Sequence, residues 1–241
     1  MAIKLEKTTK ITNVDVWLRV APPKGGITQW KDGCSAKELA RFVIGTPKDF
    51  SKMLEDVVRG TVGYVPGSFT GEPEATTKLP PTGSRGPREH DLLLFDKRIV
   101  IGIEAKVDEP FGNNKSILQD NNTISESKKA RIAWLMDMIL PDRSIEEKEV
   151  GELKYQLFTA TAGTLLEAVN KDKKECIFLV LAFHSADEPV NEANKKSFND
   201  FKRIVCGENK DSKEFIVNDK RVNCWFVERE ITFVPGHFMI D

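Results

Sequence analysis

Two segments early in the chain have apolar residues at the spacing of an amphipathic helix. Residues 34–44 combine an apolar stripe with Ser35 as the expected N-cap and Glu38 in the matching position of a capping box. Residues 46–60 show the same periodicity behind a proline, which the first turn of a helix tolerates. The pattern predicts two helices that are separated at Gly45.

Residues 66–87 interrupt this pattern, because the segment PGSFTGEPEATTKLPPTGSRGP is rich in proline and glycine. Its composition predicts a long loop, and long loops inside compact domains are usually functional or disordered. Residues 90–107 follow as two apolar runs around a polar break at Asp96, Lys97 and Arg98. This second pattern predicts a β-hairpin.

The second half of the chain alternates between helical and strand patterns. A capping box at Thr123 and Glu126 starts an apolar helical face that stops at Pro141. Residues 176–185 are apolar on both faces, which is typical of a strand in the middle of a helix-covered sheet. The other predicted elements are helices over 150–170 and 193–205 and strands over 214–217 and 222–228. This order predicts an α/β fold with a central mixed β-sheet flanked by α-helices.

The bulk composition is that of an ordinary globular protein. The chain has 241 residues, of which 40% are hydrophobic and 30% charged, and its formal net charge is −1. We therefore expect a single domain over residues 1–241, without the strong positive charge that would attract nucleic acid globally. No apolar run approaches the ~20 residues that span a bilayer, and the charged N-terminal segment lacks the apolar stretch of a secretory signal. The expected location is the cytoplasm, with no membrane partner.

The strand pattern VIGIEAKVDE, residues 100–109, separates apolar from charged side chains. Side chains alternate between the two faces of a strand, so Glu104, Lys106 and Asp108 share one face. A solvated strand face with a cross-strand ion pair explains this arrangement, and so does a catalytic row of charged groups. The sequence pattern alone is compatible with both.

The hairpin pattern predicts which residue lies opposite Glu104. With residues 97–98 at the tip, Asp96 pairs with Ile99. Counting outward along the two strands then places Asp91 directly opposite Glu104. Two carboxylates about 4 Å apart repel by on the order of 4 kcal/mol at an effective dielectric constant near 20. A shared proton or a bound cation must compensate, and hard oxygen ligands suit Mg²⁺ or Mn²⁺.

An acidic pair beside a lysine is the minimal equipment for metal-dependent hydrolysis of a phosphodiester bond. Asp91, followed by Glu-Ala-Lys at residues 104–106 on an apolar strand, resembles the motif of the PD-(D/E)XK nuclease superfamily, also called restriction endonuclease-like. The resemblance covers residues 35–183 as an order of elements, and His90 stands where the name-giving proline would be. The segments EAKVDEPFG and YQLFTATAGTLLEA also resemble a family of uncharacterised bacterial proteins placed in that superfamily.

The resemblance implies a restriction endonuclease-like core, with residues 184–241 extending the sheet as a C-terminal helix and strands. It implies that Asp91 and Glu104 ligate Mg²⁺ or Mn²⁺ and that Lys106 assists the attacking water. Gln156 matches a glutamine that several exonuclease-like members have on the helix after the Glu-x-Lys strand. The implied catalytic residues are therefore these four.

An acidic residue from an earlier segment often completes the metal site in this superfamily. Glu38, Glu55 and the loop residue Glu74 are the candidates. Glu74 is included in the expected metal site, with the choice among the three left open.

The expected function is a metal-dependent nuclease that acts on nucleic acid, with DNA as the expected substrate. The alternative is a catalytically silent module of the same fold that binds nucleic acid or a protein partner. In either case the phosphate contacts must come from local basic residues, because the net charge of −1 supplies none. The candidates flank the hairpin or begin the following helix: Arg85, Arg88, Lys97, Arg98, Lys128, Lys129 and Arg131. The oligomeric state, a homodimer included, stays open.

Overall fold

A computed structural model of the protein describes residues 1–81, 86–107, 109–122, 125–185, 192–234 and 237–240. The strands in these ranges are β1 (Ala2–Leu5), β2 (Ser68–Thr77), β3 (Arg88–Phe95), β4 (Ile99–Lys106), β5 (Glu175–Ser185), β6 (Ser212–Val217), β7 (Lys220–Val234) and β8 (His237–Ile240). The helices are α1 (Val14–Val20), α2 (Ser35–Gly45), α3 (Pro47–Thr61), α4 (Ile117–Asn122), α5 (Glu126–Ile139), α6 (Lys148–Gly151), α7 (Tyr155–Asn170) and α8 (Glu192–Cys206). Short 3₁₀ turns cover Gly26–Gln29 and Phe111–Asn114.

The strands form one mixed sheet in the order β1-β2-β3-β4-β5-β7-β6, and β8 pairs with the C-terminal end of β7. The interior strands β4, β5 and β7 run parallel to one another, whereas the β2–β3, β3–β4 and β6–β7 pairs are antiparallel. Helices α1 to α3 cover one face of the sheet, and α4 to α8 cover the other. The predicted α/β class, with a mixed sheet between helices, is therefore confirmed.

Most of the predicted elements are present, but the helix predicted over 150–170 begins only at Tyr155, after the separate short helix α6. Helix α2 ends at Gly45, and helix α3 begins at Pro47. The predicted strand that is apolar on both faces is β5, which lies between β4 and β7. The predicted cap of α2 is wrong by one residue. Ser35 is already in the helix, and Cys34 occupies the N-cap with the extended backbone that this position requires. Thr123, the predicted start of the next capping box, lies outside the described residues.

The predicted loop over residues 66–87 is wrong, because ten of those residues form β2 between β1 and β3. Buried and less buried positions alternate along this strand, as expected where successive side chains point to opposite sides of a sheet. Proline is tolerated because β1 pairs only with Ser68–Gly71, which leaves Pro73 at an open edge where a missing amide donor costs little. The proline and glycine content concealed the alternation.

The side chains of β2 change from one face of the sheet to the other near Glu74, where this strand pairs with β3. Phe69 packs in the α1–α3 core, whereas Ala75 packs in the opposite core, although regular alternation would put both on one face. Glu74 has a φ of +48°, in the left-handed region, and the regular β2–β3 pairs are interrupted between Pro73 and Ala75. By register Asp91 is the residue opposite Glu74. The sheet is therefore irregular at Glu74, next to the predicted acidic pair.

Candidate functional site

The hairpin formed by β3 and β4 has the register that the sequence predicts. Its ladder runs from Phe95 paired with Val100 to Leu92 paired with Ile103. One step further along the same register, Asp91 lies beside Glu104, and the regular pairing stops there. The Asp91 Oδ2 atom instead accepts a hydrogen bond of 2.7 Å from the backbone amide of Ala105.

Glu104 lies at the centre of a buried polar cluster. Its Oε1 atom accepts from the Lys106 ammonium at 2.9 Å and from the Gln156 amide at 2.5 Å, and its Oε2 atom pairs with the Arg88 guanidinium. Glu104 is only 1% exposed and Lys106 only 6%. The explanation by a solvated strand face is therefore wrong, because α7 covers this face of β4. Asp108, the third charge of the pattern, lies outside the described residues.

Gln156 connects β4 to the turn that follows it. Gln156 lies in the first turn of α7, where its amide nitrogen donates to Glu104. Its Oε1 atom accepts a 2.6 Å hydrogen bond from the backbone amide of Gly112, which has a φ of +59° in the 3₁₀ turn. Both ends of the Gln156 amide are thus used, and the side chain fixes the distance between α7 and the charged end of β4.

The two central carboxyl groups have opposite pKa shifts. Burial and the charge of Glu104 raise the pKa of Asp91 to about 7. Burial would also raise the pKa of Glu104, but the adjacent Arg88 and Lys106 cations outweigh burial and lower it to about 2. At neutral pH the pair therefore holds one firmly ionised carboxylate and one carboxyl close to its titration point.

Glu74 is the upstream acidic candidate that lies beside this pair. Burial and the neighbouring Asp91 raise the pKa of Glu74 to about 9. The unusual backbone at Glu74 is held by Lys7, whose Nζ donates to the carbonyl groups of Pro73 and Glu74 at 3.1 and 2.8 Å. The other two candidates face different partners: Glu38 accepts from Arg41 and from the Gly33 amide, and Glu55 pairs with Arg59 on α3.

Arg88 is the residue of the cluster whose role the sequence analysis missed. We expected a phosphate contact, whereas its guanidinium lies against Glu104. His90, two residues further along β3, is fully buried, and burial lowers its pKa to about 3. Its Nε2 atom lies 3.0 Å from the Thr77 hydroxyl, so this histidine is a neutral structural group. No signal in the sequence distinguished Arg88 from the other basic residues nearby.

A cleft of about 970 Å³ opens in front of the cluster. Its lining includes two further residues, Glu109 and Arg131, together with the charged and amide residues described above: Glu74, Arg88, Asp91, Glu104, Lys106 and Gln156. The guanidinium of Arg131 donates to the carbonyl groups of Leu79, Pro81 and Gly86, so it holds the wall of the cleft.

The other basic candidates are distributed around the molecule. Arg98 lies over the Tyr64 ring at the tip of the hairpin, and Lys97 accepts there from Lys173 through its carbonyl group. Lys128 pairs with Asp120, and Lys129 pairs with Glu126 on the surface of α5. Arg85 lies outside the described residues. Of the basic candidates in the described part of the chain, Arg88 and Arg131 line the cleft.

The side chains of the cleft that could ligate a metal ion are a few carboxyl groups. Within the described ranges, no group of three or more His, Cys, Asp and Glu side chains lies close enough to hold a metal ion. Mg²⁺ needs fewer protein ligands than that, because it usually keeps several waters and binds through one or two carboxylates and substrate phosphates. Asp91 and Glu104 are compatible with this pattern, because they are adjacent by register and both line the cleft.

The fold and the cluster define an α/β protein with a buried Glu-Lys-Arg network at the end of a central strand. The chain belongs to the family described as Domain of unknown function (DUF6946), whose model matches residues 10–230. No curated protein and no solved structure matches the chain. Among the helices that the structure describes, none has both the length and the apolar character needed to cross a membrane.

Proposed function

We propose that the protein is a metal-dependent nuclease with a restriction endonuclease-like core, which hydrolyses phosphodiester bonds of nucleic acid, with DNA as the expected substrate. The observation that supports this function is the grouping of Asp91, Glu104, Lys106 and Gln156 at one end of a 970 Å³ cleft. Solvated surface charges do not require this degree of burial or this number of hydrogen bonds.

The expected metal ligands are Asp91 and Glu104, with Glu74 beside them. Their oxygen donors suit Mg²⁺ or Mn²⁺. A bound divalent ion would lower the pKa of its water and stabilise the negative charge that develops on the phosphorus oxygens. Asp91 has a pKa raised to about 7, so it exchanges its proton at physiological pH without a large cost in free energy.

Lys106 acts as a cation and not as a base. Burial alone favours its neutral form, but the carboxylates of Glu104 and Asp91 outweigh burial and raise its pKa above the ordinary value. The ammonium therefore stays protonated at neutral pH. Such a group orients the attacking water or binds a phosphate oxygen, and Glu104 holds it in place at 2.9 Å.

Gln156 has a positioning role. Because it is bonded both to Glu104 and to the Gly112 amide, it prevents the Glu104 carboxylate from rotating away from the cleft. The role of the amide is thus to keep one carboxylate in the geometry that the reaction requires.

A cleavage panel tests the proposal. Single- and double-stranded DNA and RNA are incubated with the wild-type chain, Glu104→Gln, Lys106→Met and the control Glu55→Gln, with Mg²⁺ and with Mn²⁺. Glu104→Gln keeps the shape of the side chain but removes the charge, so we expect a loss of cleavage of at least about 100-fold, which is typical of a lost charge-stabilising group. Glu55 pairs with Arg59 away from the cleft, so its variant should cleave like the wild type. Undiminished cleavage by Glu104→Gln would reject the proposal.

A silent binding module is the second candidate, and one observation favours it. Both oxygens of Glu104 already have partners within the protein, so the network is electrostatically complete without a metal. This candidate predicts no calorimetric signal with millimolar Mg²⁺ or Mn²⁺ and no cleavage of any substrate in the panel. A binding isotherm for Mn²⁺ that disappears in Asp91→Ala would exclude it.

A further inference from the structure

The side chain that occupies Glu104 Oε2 is held differently from the two that occupy Oε1. Lys106 is on the same strand as Glu104, and Gln156 is tethered at its other end to the Gly112 amide. Arg88 reaches Glu104 from β3, and its Nε–H is buried with no acceptor among the described residues. The Arg88 side chain is only 10% exposed, so this donor cannot be satisfied by bulk water.

Arg88 is therefore a counter-ion of Glu104 with one hydrogen bond left unmade. A buried guanidinium normally satisfies its donors with carboxylate or carbonyl oxygens, and an unmade hydrogen bond favours any rearrangement that supplies an acceptor. The cleft offers the space for that rearrangement, because Arg88 is one of its lining residues. Phosphodiester oxygens in the cleft would match the planar fork of the guanidinium.

A divalent cation in the cleft and the Arg88 guanidinium would contact the same oxygen atom of Glu104. Lys106 and Gln156 already use Oε1, so Oε2 is the atom of Glu104 that a cation in the cleft would take. Two cations cannot share one carboxylate oxygen at contact distance without strong repulsion. Binding of the divalent cation therefore favours release of the guanidinium.

We infer that Arg88 is an internal competitor for the metal: it neutralises Glu104 in the metal-free protein, and it leaves Glu104 Oε2 when Mg²⁺ or Mn²⁺ binds and turns to a phosphate group in the cleft. The inference rests on the proposed function. It implies that the metal binds first and that Arg88 becomes available to a phosphate group only afterwards. No covalent change is involved.

Calorimetric titration with Mn²⁺ tests the competition without any measurement of cleavage. The variant Arg88→Met keeps much of the side-chain volume and removes the charge, and the control Lys24→Met removes one charge from the cleft wall without contact to Glu104. We expect Arg88→Met to bind Mn²⁺ at least about tenfold more tightly than the wild type, which corresponds to one hydrogen bond to a charged group that no longer has to be broken. Lys24→Met should stay within about twofold, because an exposed charge is screened.

The wild-type chain supplies an independent measurement if Arg88→Met does not fold. The Arg88 Nε–H resonance, assigned with the variant Arg88→Lys, should exchange faster with water after addition of Mg²⁺, because release from Glu104 exposes it. An unchanged exchange rate at saturating Mg²⁺ overturns the inference.

The outcomes separate the inference from the nuclease proposal. Equal or weaker Mn²⁺ affinity in Arg88→Met overturns the competition, whereas metal-dependent cleavage by the wild type would leave the nuclease proposal intact. Absence of Mn²⁺ binding in the wild type and in the variant overturns both. Tighter binding by the variant together with no cleavage by the wild type supports the competition and rejects the nuclease.

Discussion

At the scale of single residues, Glu104 combines nearly complete burial with contacts to two cations. Its side chain is almost inaccessible to solvent, yet it is ionised, because two cations and one amide surround it. The sequence pattern alone places Asp91 opposite Glu104, and from that repulsion it predicts that removal of Glu104 leaves the fold intact. The structure adds Arg88, and it brings both Arg88 and Lys106 into contact with the Glu104 carboxylate, which reverses the expected effect on stability.

Glu104→Ala should therefore destabilise the metal-free protein strongly. The substitution leaves the buried Arg88 and Lys106 cations without their shared carboxylate, and breaking a buried pair in this way typically costs about 3–5 kcal/mol. Urea denaturation followed by circular dichroism measures the free energy of unfolding. The control Glu55→Ala removes a surface pair along α3 and should cost no more than about 0.5 kcal/mol. Equal losses in the two variants would contradict the ion-pair network.

The pKa shift of Asp91 predicts a defined pH dependence. Burial and Glu104 raise its pKa from 3.8 to about 7, so between these values the folded chain keeps a proton that the unfolded chain has released. The contribution of Asp91 to the free energy of unfolding therefore falls as pH rises through this window. Asp91→Asn cannot titrate, so it should gain stability relative to the wild type from about pH 4 to about pH 7, in buffer without divalent metal.

Urea denaturation of both chains at several pH values measures this difference. Glu104 acts in the opposite sense, because its pKa is lowered to about 2, and its stabilising contribution is lost only as pH falls below the ordinary range of a glutamate. A stability difference between Asp91→Asn and the wild type that does not change with pH would show that Asp91 titrates normally.

At the scale of elements, close packing between α7 and β4 positions the site. Gly102 of β4 faces Thr164 of α7, and a Cβ atom at residue 102 would lie 2.1 Å from the Thr164 hydroxyl oxygen. Gly163 makes a similar approach, because a Cβ atom there would lie 2.9 Å from His90. The two glycines allow the helix to come near enough for Gln156, at its N-terminal end, to reach Glu104.

Gly102→Ala should force α7 away from the sheet. Overpacking of this kind typically costs about 1–3 kcal/mol, and here it should also weaken the bond between Gln156 and Glu104. Thermal unfolding measures the loss of stability. Gly60→Ala on α3 is the matched control, because a Cβ atom there meets nothing within 4 Å, and alanine should stabilise the helix by up to about 1 kcal/mol.

The comparison of α2, β2 and the hairpin shows what the sequence could predict at this scale. Helices with an apolar stripe and the register of the hairpin were predictable, because both follow from local periodicity. The strand β2 was not, since its proline and glycine are typical of loops and its pairing partners β1 and β3 supply the missing stabilisation. The contact between Arg88 and Glu104 was also beyond prediction, because it depends on the change of faces at Glu74 and Asp91.

At the scale of the whole molecule, the long strand β7 lies inside the sheet although it comes near the end of the chain. The strand β7 pairs with β5 over every residue from Glu175 to Ser185, and β6 then lies at the outer edge. The two cores share this sheet, with α1 to α3 on one face and α4 to α8 on the other. Loss of the C-terminal strands would therefore expose the centre of the fold and not only its border.

Removal of residues 207–241 should give a chain that does not fold. The truncation leaves β5 with an unpaired edge and apolar side chains on both faces exposed to water, which favours aggregation. Removal of residues 1–4 is the control, because β1 lies at the outer edge and its first residues are largely exposed. Soluble expression and far-ultraviolet circular dichroism distinguish the two, and a folded, soluble 1–206 chain would contradict this view of the sheet.

The near contact between Gly102 and Thr164 has a consequence for the history of the family. Since there is no room for a Cβ atom at residue 102 while a branched side chain occupies residue 164, the two positions cannot change independently. A relative that acquires alanine at the first position is expected to have glycine, alanine or serine at the second. The spacing between helix and strand would thus be inherited as a linked pair of substitutions, detectable as covariation when related sequences are aligned.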